Sequence, residues 1–161
     1  MLLLLACTPT VDSADDSVDS EPVEVEDTSP PWVAPNVVLN EFMADNESVL
    51  VLEDGTSPDW VELFNVGRAV DLTGWGLSDS GDDPHKQRLS GSLDEGGLLL
   101  VLLDFGLASE GEQVGLYGPG GVPVDRVDFG AQGPDIAAAR SPDGGTEWVF
   151  VLGGTPGEAN E

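Results

Sequence analysis

Asp59-Trp60-Val61-Glu62-Leu63-Phe64-Asn65 is the stretch that decides the fold. Read at the two-residue period of a pleated strand, it places Trp60, Glu62 and Phe64 on one face. A carboxylate between aromatic side chains must be hydrogen-bonded or sit at a sheet edge, because burying it unpaired is costly. Glu62 is therefore read as a structural network residue before it is read as a catalytic one. Upstream, Val37-Val38-Leu39-Asn40-Glu41-Phe42 predicts a first strand. Downstream, short apolar runs predict strands at Gly74 to Ser78, Gln87 to Leu89, Leu98 to Leu102, Gln113 to Tyr117, Val124 to Phe129, Ile136 to Ala139 and Glu147 to Phe150. Gly118-Pro119-Gly120-Gly121 is a hairpin turn between two of them; without a following Lys-Ser/Thr or a helix it is no phosphate cradle. Helix-period stretches are absent, so the class is an all-β sandwich. Trp60, Trp75, Leu77, Phe129 and Trp148 are the core candidates, each contributing roughly 1.5–3 kcal/mol by burial.

The 161 residues, with 21 glycines and 12 prolines, suit one turn-rich domain and a tail. Thirty-one acids against five bases give a net charge of -26, which repels polyanions and argues against nucleic-acid binding. A cationic partner fits better. The stretch from 8 to 36 holds Asp12, Asp15, Asp16, Asp19, Glu21, Glu24, Glu26 and Asp27, no base, and Ser, Thr and Pro punctuation. Such a segment cannot bury a core and reads as an extended tether of up to ~3 Å per residue. Trp32 near its end is expected to pack on the following domain, which starts at Val37.

Cys7 is the only cysteine, so no intramolecular disulfide forms. Leu4-Leu5-Ala6-Cys7 resembles a bacterial lipobox, in which the chain is cut before a cysteine that is then acylated. The apolar run before it is short and carries no Lys or Arg. Residues 1–6 read as a lipoprotein signal remnant, 7–36 as the acidic linker with its lipid anchor on Cys7, and 37–161 as the domain. No other run approaches the ~20 apolar residues of a membrane span.

Three blocks stand in a telling order: Asn40-Glu41-Phe42-Met43-Ala44-Asp45-Asn46, then Asp59 to Asn65, then Val70-Asp71-Leu72-Thr73-Gly74-Trp75-Gly76-Leu77-Ser78-Asp79. The chain closes with Arg140-Ser141-Pro142-Asp143-Gly144, Trp148, and Thr155-Pro156-Gly157-Glu158-Ala159-Asn160. Together these resemble the lamin tail domain in its bacterial, lipoprotein-type form, over residues 37 to 161. The resemblance implies an immunoglobulin-like sandwich in which Glu41, Trp60, Glu62, Trp75 and Trp148 are frame residues. It also places Leu50-Val51-Leu52, strand-like by composition, in a long acid-rich loop. The chain departs from the family at Gln87, where an aromatic is usual, at Leu98, where Tyr is common, and at the alanines around 137–139, where Ser and Gly are frequent. Bacterial lamin-tail-like domains commonly accompany secreted enzymes, which implies an accessory targeting role.

Hydrolysis would need a nucleophile with its base, a metal cluster or opposed carboxylates. His85, the sole histidine, lies in the turn-rich Asp82-Asp83-Pro84-His85-Lys86 and is expected to be flexible and exposed. Without Cys and His clusters, only a hard cation on oxygen ligands is conceivable. Two acid-rich loops are calcium candidates: Asp45, Asn46, Glu53, Asp54 and Asp59, and Asp79, Ser80, Asp82 and Asp83. Neither has EF-hand spacing, and a solvated turn is the simpler reading. The function expected is a non-catalytic, lipid-anchored protein of a bacterial cell envelope, at the outer membrane or cell surface. Its partners would be the membrane, through Cys7, and an envelope protein or glycan. The alternatives are a structural protein self-assembling through sheet edges, and a hydrolase using a pair such as Glu41 and Glu62.

Overall fold

A computed structural model describes residues 37–160. The signal remnant, the tether, Cys7 and Trp32 lie outside the described residues. Among the described residues eleven strands run in chain order: β1 Val37–Met43, β2 Trp60–Asn65, β3 Val70–Asp71, β4 Gly76–Ser78, β5 Gln87–Arg88, β6 Ser92–Leu93, β7 Leu98–Leu102, β8 Gly111–Tyr117, β9 Pro123–Gly130, β10 Ile136–Arg140 and β11 Trp148–Leu152. They form a five-stranded sheet in the order β11-β10-β1-β2-β7, a four-stranded sheet in the order β5-β4-β8-β9, and the small pair β3-β6. Every pairing is antiparallel. The expected all-β sandwich is the fold.

Antiparallel partners share a face, so the register sorts the side chains. Phe42, Val61 and Ala138 lie side by side across β1, β2 and β10 and face the four-stranded sheet, where Leu77, Val114 and Leu116 complete the buried core. Trp75 joins this core. The other face of the large sheet carries Met43, Trp60 and Ala137, which form a second apolar cluster with Val49, Leu50, Leu100 and Leu102. Trp60 is thus fully buried, but on the side of the sheet away from the main core.

Register in β1 is broken by a bulge between Leu39 and Glu41. The extra residue reverses the parity of the strand. Val37, Leu39 and Phe42 therefore all reach the main core, while Glu41 is turned to the outer face opposite Glu62.

The expected strands match the observed ones apart from their ends. Gly74 belongs to a turn instead, with positive φ and a Trp75 N–H to Leu72 C=O bond of 3.0 Å, so that strand starts at Gly76. Strands β3 and β6 were not expected, since two residues carry no readable period. Leu50-Val51-Leu52 forms no strand, and Val51 and Leu52 are exposed. Phe129 and Trp148 pack against the core but are only half buried, because the two sheets part along β9 and β11. His85 is half buried rather than free: it lies against Gly76, and its Nε2 is 3.2 Å from the Gly118 carbonyl. Among the described residues no helix is long and apolar enough to cross a membrane.

Candidate functional site

The concentration of buried polar groups lies on the outer face of the large sheet, where Glu41 and Glu62 sit directly across from each other. Like charges in that position repel, and neither carboxylate has a basic partner among the hydrogen bonds it makes. What satisfies them is the chain after β11. This segment crosses the face as a strap and donates backbone and hydroxyl groups downward. Thr155 N–H lies 3.0 and 3.2 Å from the two Glu41 oxygens, and Thr155 Oγ1 lies 2.9 Å from Oε2. Gly157 N–H donates to Glu62 Oε2 at 2.6 Å, while Asn40 Nδ2 donates to Oε1 at 3.3 Å.

Asn40, the residue set apart by the bulge, connects this pair to the 141–147 loop. Its Nδ2 also donates to Asp143 Oδ1 at 2.8 Å, and its Oδ1 accepts from Gly144 N–H at 3.0 Å. Asn160 N–H adds a bond of 3.0 Å to the same Asp143 oxygen. The strap approaches this closely because residue 154 is glycine. Its φ is +62°, and a Cβ there would collide with Glu41 Oε1 and come within 2.9 Å of Ala137.

Burial pushes both carboxyl groups above their ordinary value of 4.5; the Thr155 bonds oppose this at Glu41, as the Gly157 and Asn40 bonds do at Glu62. The hydrogen-bond pattern distinguishes the two. Thr155 Oγ1 has one proton, yet stands 2.9 Å from Glu41 Oε2 and 2.5 Å from Asn160 Oδ1. Both contacts are satisfied when Glu41 is protonated, donates to Thr155 Oγ1, and the hydroxyl donates onward to Asn160. Glu62 receives a donor on each oxygen and is served best as an anion. With Asn160 Oδ1 turned to Thr155, the pattern favours the proton on Glu41 over Glu62.

Opposed carboxylates are the apparatus of glycoside hydrolysis, which requires an open path to both. Here both side chains are fully buried under the strap. A cleft of about 500 Å³ lies beside it, lined by Ala139, Val149, Val151, Thr155, Glu158, Ala159 and Asn160, and neither Glu41 nor Glu62 reaches its wall. The arrangement holds a strap down; it does not present a pair of acids to a substrate.

Among the described residues no group of three or more Asp, Glu, His or Cys is placed to hold a metal ion. In the first loop Asp59 Oδ2 accepts from Leu107 N–H at 2.8 Å, and burial raises its pKa. Asp54 accepts from Thr56 N–H and Oγ1 at 3.0 and 2.7 Å, bonds that lower its pKa. Asp45 contributes its carbonyl to Asp135 N–H, and Glu53 is exposed. Asn46 organises the loop: its Oδ1 takes the N–H groups of Val49 and Leu50, and its Nδ2 donates to the carbonyls of Leu50 and Pro58. In the second loop Asp79 pairs with Lys86, and Asp82 and Asp83 are exposed. Of these acids, Asp54 closes a turn of its own and Asp59 ties the first loop to Leu107.

Trp60, Trp75, Glu41 and Glu62 lie in the frame, and Trp148 covers its rim, 5.6 Å from the Phe42 ring and stacked by Arg140 at 4.7 Å. Sequence reasoning missed the strap. A signal was present: two carboxylates on apolar strands require donors, and a Gly-rich end without large apolar residues can bring backbone N–H groups close. It also missed Arg140, whose Nε donates to the Leu39 carbonyl at 2.7 Å, Nη1 to Gly145 at 2.6 Å and Nη2 to Asp125 at 3.1 Å.

Comparison with family models, curated proteins and solved structures gives no match to this chain.

Proposed function

We propose that this protein is a non-catalytic binding module displayed on a bacterial envelope, built on a lamin-tail-like sandwich and held to the membrane by a lipid on Cys7. The observation that carries the reading is the sealing of Glu41 and Glu62. The one opposed carboxylate pair considered for hydrolysis is buried and bonded to the strap, so the large sheet serves as a frame. The charge of -26 directs the module toward cationic or neutral partners and away from nucleic acid. The Leu4-Leu5-Ala6-Cys7 match supports lipidation, and the acidic stretch behind it would serve as the spacer.

Anchoring is tested by feeding a labelled fatty acid to bacteria that produce the full chain or its Cys7→Ser variant. The full chain is expected to take up label and sediment with membranes, and Cys7→Ser to lose both. Equal labelling and equal partition of the two would refute the anchor. A screen against phosphoesters and glycosides is expected to detect no turnover that Glu41→Gln or Glu62→Gln abolishes.

A further inference from the structure

The most exposed large apolar side chains of the described residues are Leu152 at 77% and Phe150 at 71%, with Val149 at 40% on the same strand. All three belong to β11, the end strand of the large sheet. Sheet ends normally carry charge, proline or a cover, because a free edge is a template for another strand. The other long end strand follows that rule: β9 carries Pro123, Asp125, Arg126 and Asp128. At β7, Gln87 bridges the edge by donating to the Leu102 carbonyl and accepting from Asp104 N–H. β11 reads Trp-Val-Phe-Val-Leu, without a charge.

Among the described residues no strand pairs with its outer backbone. Ser141 N–H bonds to Glu147 C=O at 3.1 Å and Gly153 N–H to Asp135 C=O at 2.8 Å, at the two ends of the β10–β11 ladder. Antiparallel pairs alternate between bonded and non-bonded. The bonded pairs inside the ladder are therefore Ala139 with Val149 and Ala137 with Val151. Trp148, Phe150 and Leu152 turn their N–H and C=O groups to the free edge.

Each face beside that edge has a recess. The 500 Å³ cleft on the outer side is walled by Val149, Val151 and Glu158 among others. On the inner side a groove of about 220 Å³ runs between the sheets, with Trp148 and Phe150 on one wall and Val127, Asp128 and Phe129 on the other. An added strand would send alternate side chains into the two recesses. Acids stand beside the edge, Glu158 on the outer recess and exposed Glu147 at the head of β11, while Asp128 on the inner wall is already paired. Nearby bases are engaged, Arg126 with Asp128 at 2.6 Å and Arg140 with Asp125 and two carbonyls.

We propose that the free edge of β11 is a strand-addition site that accepts an extended segment of another protein in which apolar residues alternate with Lys or Arg. The proposal rests on the binding-module reading and gives it a ligand class. Backbone bonds supply affinity, the recesses select side chains, and the acidic rim selects charge. A second copy of this chain is disfavoured at the same edge. It would bring another -26 against the first, and a five-residue strand contact falls short of the roughly 800 Å² per partner of a standard interface.

The probes are an eight-residue peptide alternating Val and Lys, the same peptide with Glu for Lys, and an N-methylated Val/Lys version that cannot form the ladder. Binding to the full chain is read by fluorescence anisotropy and amide NMR. Expected is saturable one-to-one binding of the Val/Lys peptide, with shifts centred on Trp148 to Leu152, at least tenfold weaker for the N-methylated and Glu peptides. Phe150→Pro should weaken it at least tenfold, because the lost N–H faces the edge and leaves the β10 ladder whole. Glu158→Gln with Glu147→Gln, both at exposed positions, should weaken binding several-fold and reduce its salt dependence. Equal binding of all three peptides, indifference to Phe150→Pro in a variant that melts as the parent does, or shifts away from β11 would each overturn the proposal. So would a dimer in sedimentation that Phe150→Pro abolishes, since the edge would then belong to a second copy. If envelope fractions are retained by the parent and by Phe150→Pro alike, the edge proposal falls and the module reading stands; if neither retains any, the module reading falls.

Discussion

A chain ending at Gly153 is expected to melt more than about 10 °C below the full chain, or not to fold at 37 °C. The deletion removes Thr155 N–H, Thr155 Oγ1 and Gly157 N–H from the two buried carboxylates and Asn160 N–H from Asp143. The Gly157 and Asn160 bonds go to charged acids and contribute about 1.5–3 kcal/mol each, the Thr155 contacts with Glu41 about 1 kcal/mol each, so the loss is on the order of 4–6 kcal/mol after rehydration of the exposed acids. That approaches half of an ordinary domain's stability, and in a domain of this size it corresponds to well over 10 °C. Gly154→Val tests the same contact without shortening the chain, since its side chain would need a positive φ and would occupy the position of Glu41 Oε1. Differential scanning calorimetry decides; a melting temperature within 2 or about 3 °C of the parent for both variants would show that the strap is ornamental.

The second large effect is expected at Arg140. Its guanidinium ties the Leu39 and Gly145 carbonyls to Asp125, which itself accepts from Leu39 N–H at 2.9 Å, and its flat face covers Trp148. Arg140→Ala leaves a largely buried carboxylate and two carbonyls without their donor, a cost of about 3 kcal/mol or more, or roughly 10 °C. Arg140→Lys should recover less than half, because one ammonium cannot reproduce a planar fork on three acceptors. Chemical denaturation would record both variants. Equal stability of Arg140→Lys and the parent would mean that charge alone matters there.

The sandwich was legible because Trp60 to Phe64, Leu98 to Leu102 and Val124 to Phe129 have strand length, apolar character and turn residues at their ends. Glu62 could be read as a network residue for the same reason: an acid on an apolar face must find donors. The identity of those donors was not legible. Apart from Asn40, they lie about 90 to 115 residues away in sequence, in a strap whose turns carry no periodicity. Nor was the placement of Glu41, because strict alternation groups it with Val37 and Leu39 in the core, and only the bulge at Asn40 turns it outward. The acid-rich loops invite a calcium reading for a further reason. Asp and Asn close turns by bonding to backbone N–H groups two or three residues on, as Asp54 and Asn46 do, and this composition mimics a cation site. The openness of β11 was invisible because a strand's neighbours are not written in its own residues.

If Glu41 and Glu62 are unlike members of a sealed structural pair, Glu41→Gln and Glu62→Gln must differ in stability. At position 41 a glutamine can accept from Thr155 N–H and donate to Thr155 Oγ1, as the protonated acid does. At position 62 its amide NH2 would have to face Gly157 N–H or Asn40 Nδ2, both donors. Raised carboxyl pKa values also fix the sign of the pH dependence. They contribute stability below the ordinary 4.5, and this is lost as pH rises through the folded-state value. Expected from melting curves between pH 4 and about 8, in enough salt to screen the global charge, is a Glu41→Gln variant within about 1 kcal/mol of the parent. Its loss of stability with rising pH should be smaller than the parent's, and Glu62→Gln should be weaker by about 2 kcal/mol. Equal losses for the two variants, or an unchanged pH slope in Glu41→Gln, would contradict a sealed pair whose two members are unlike.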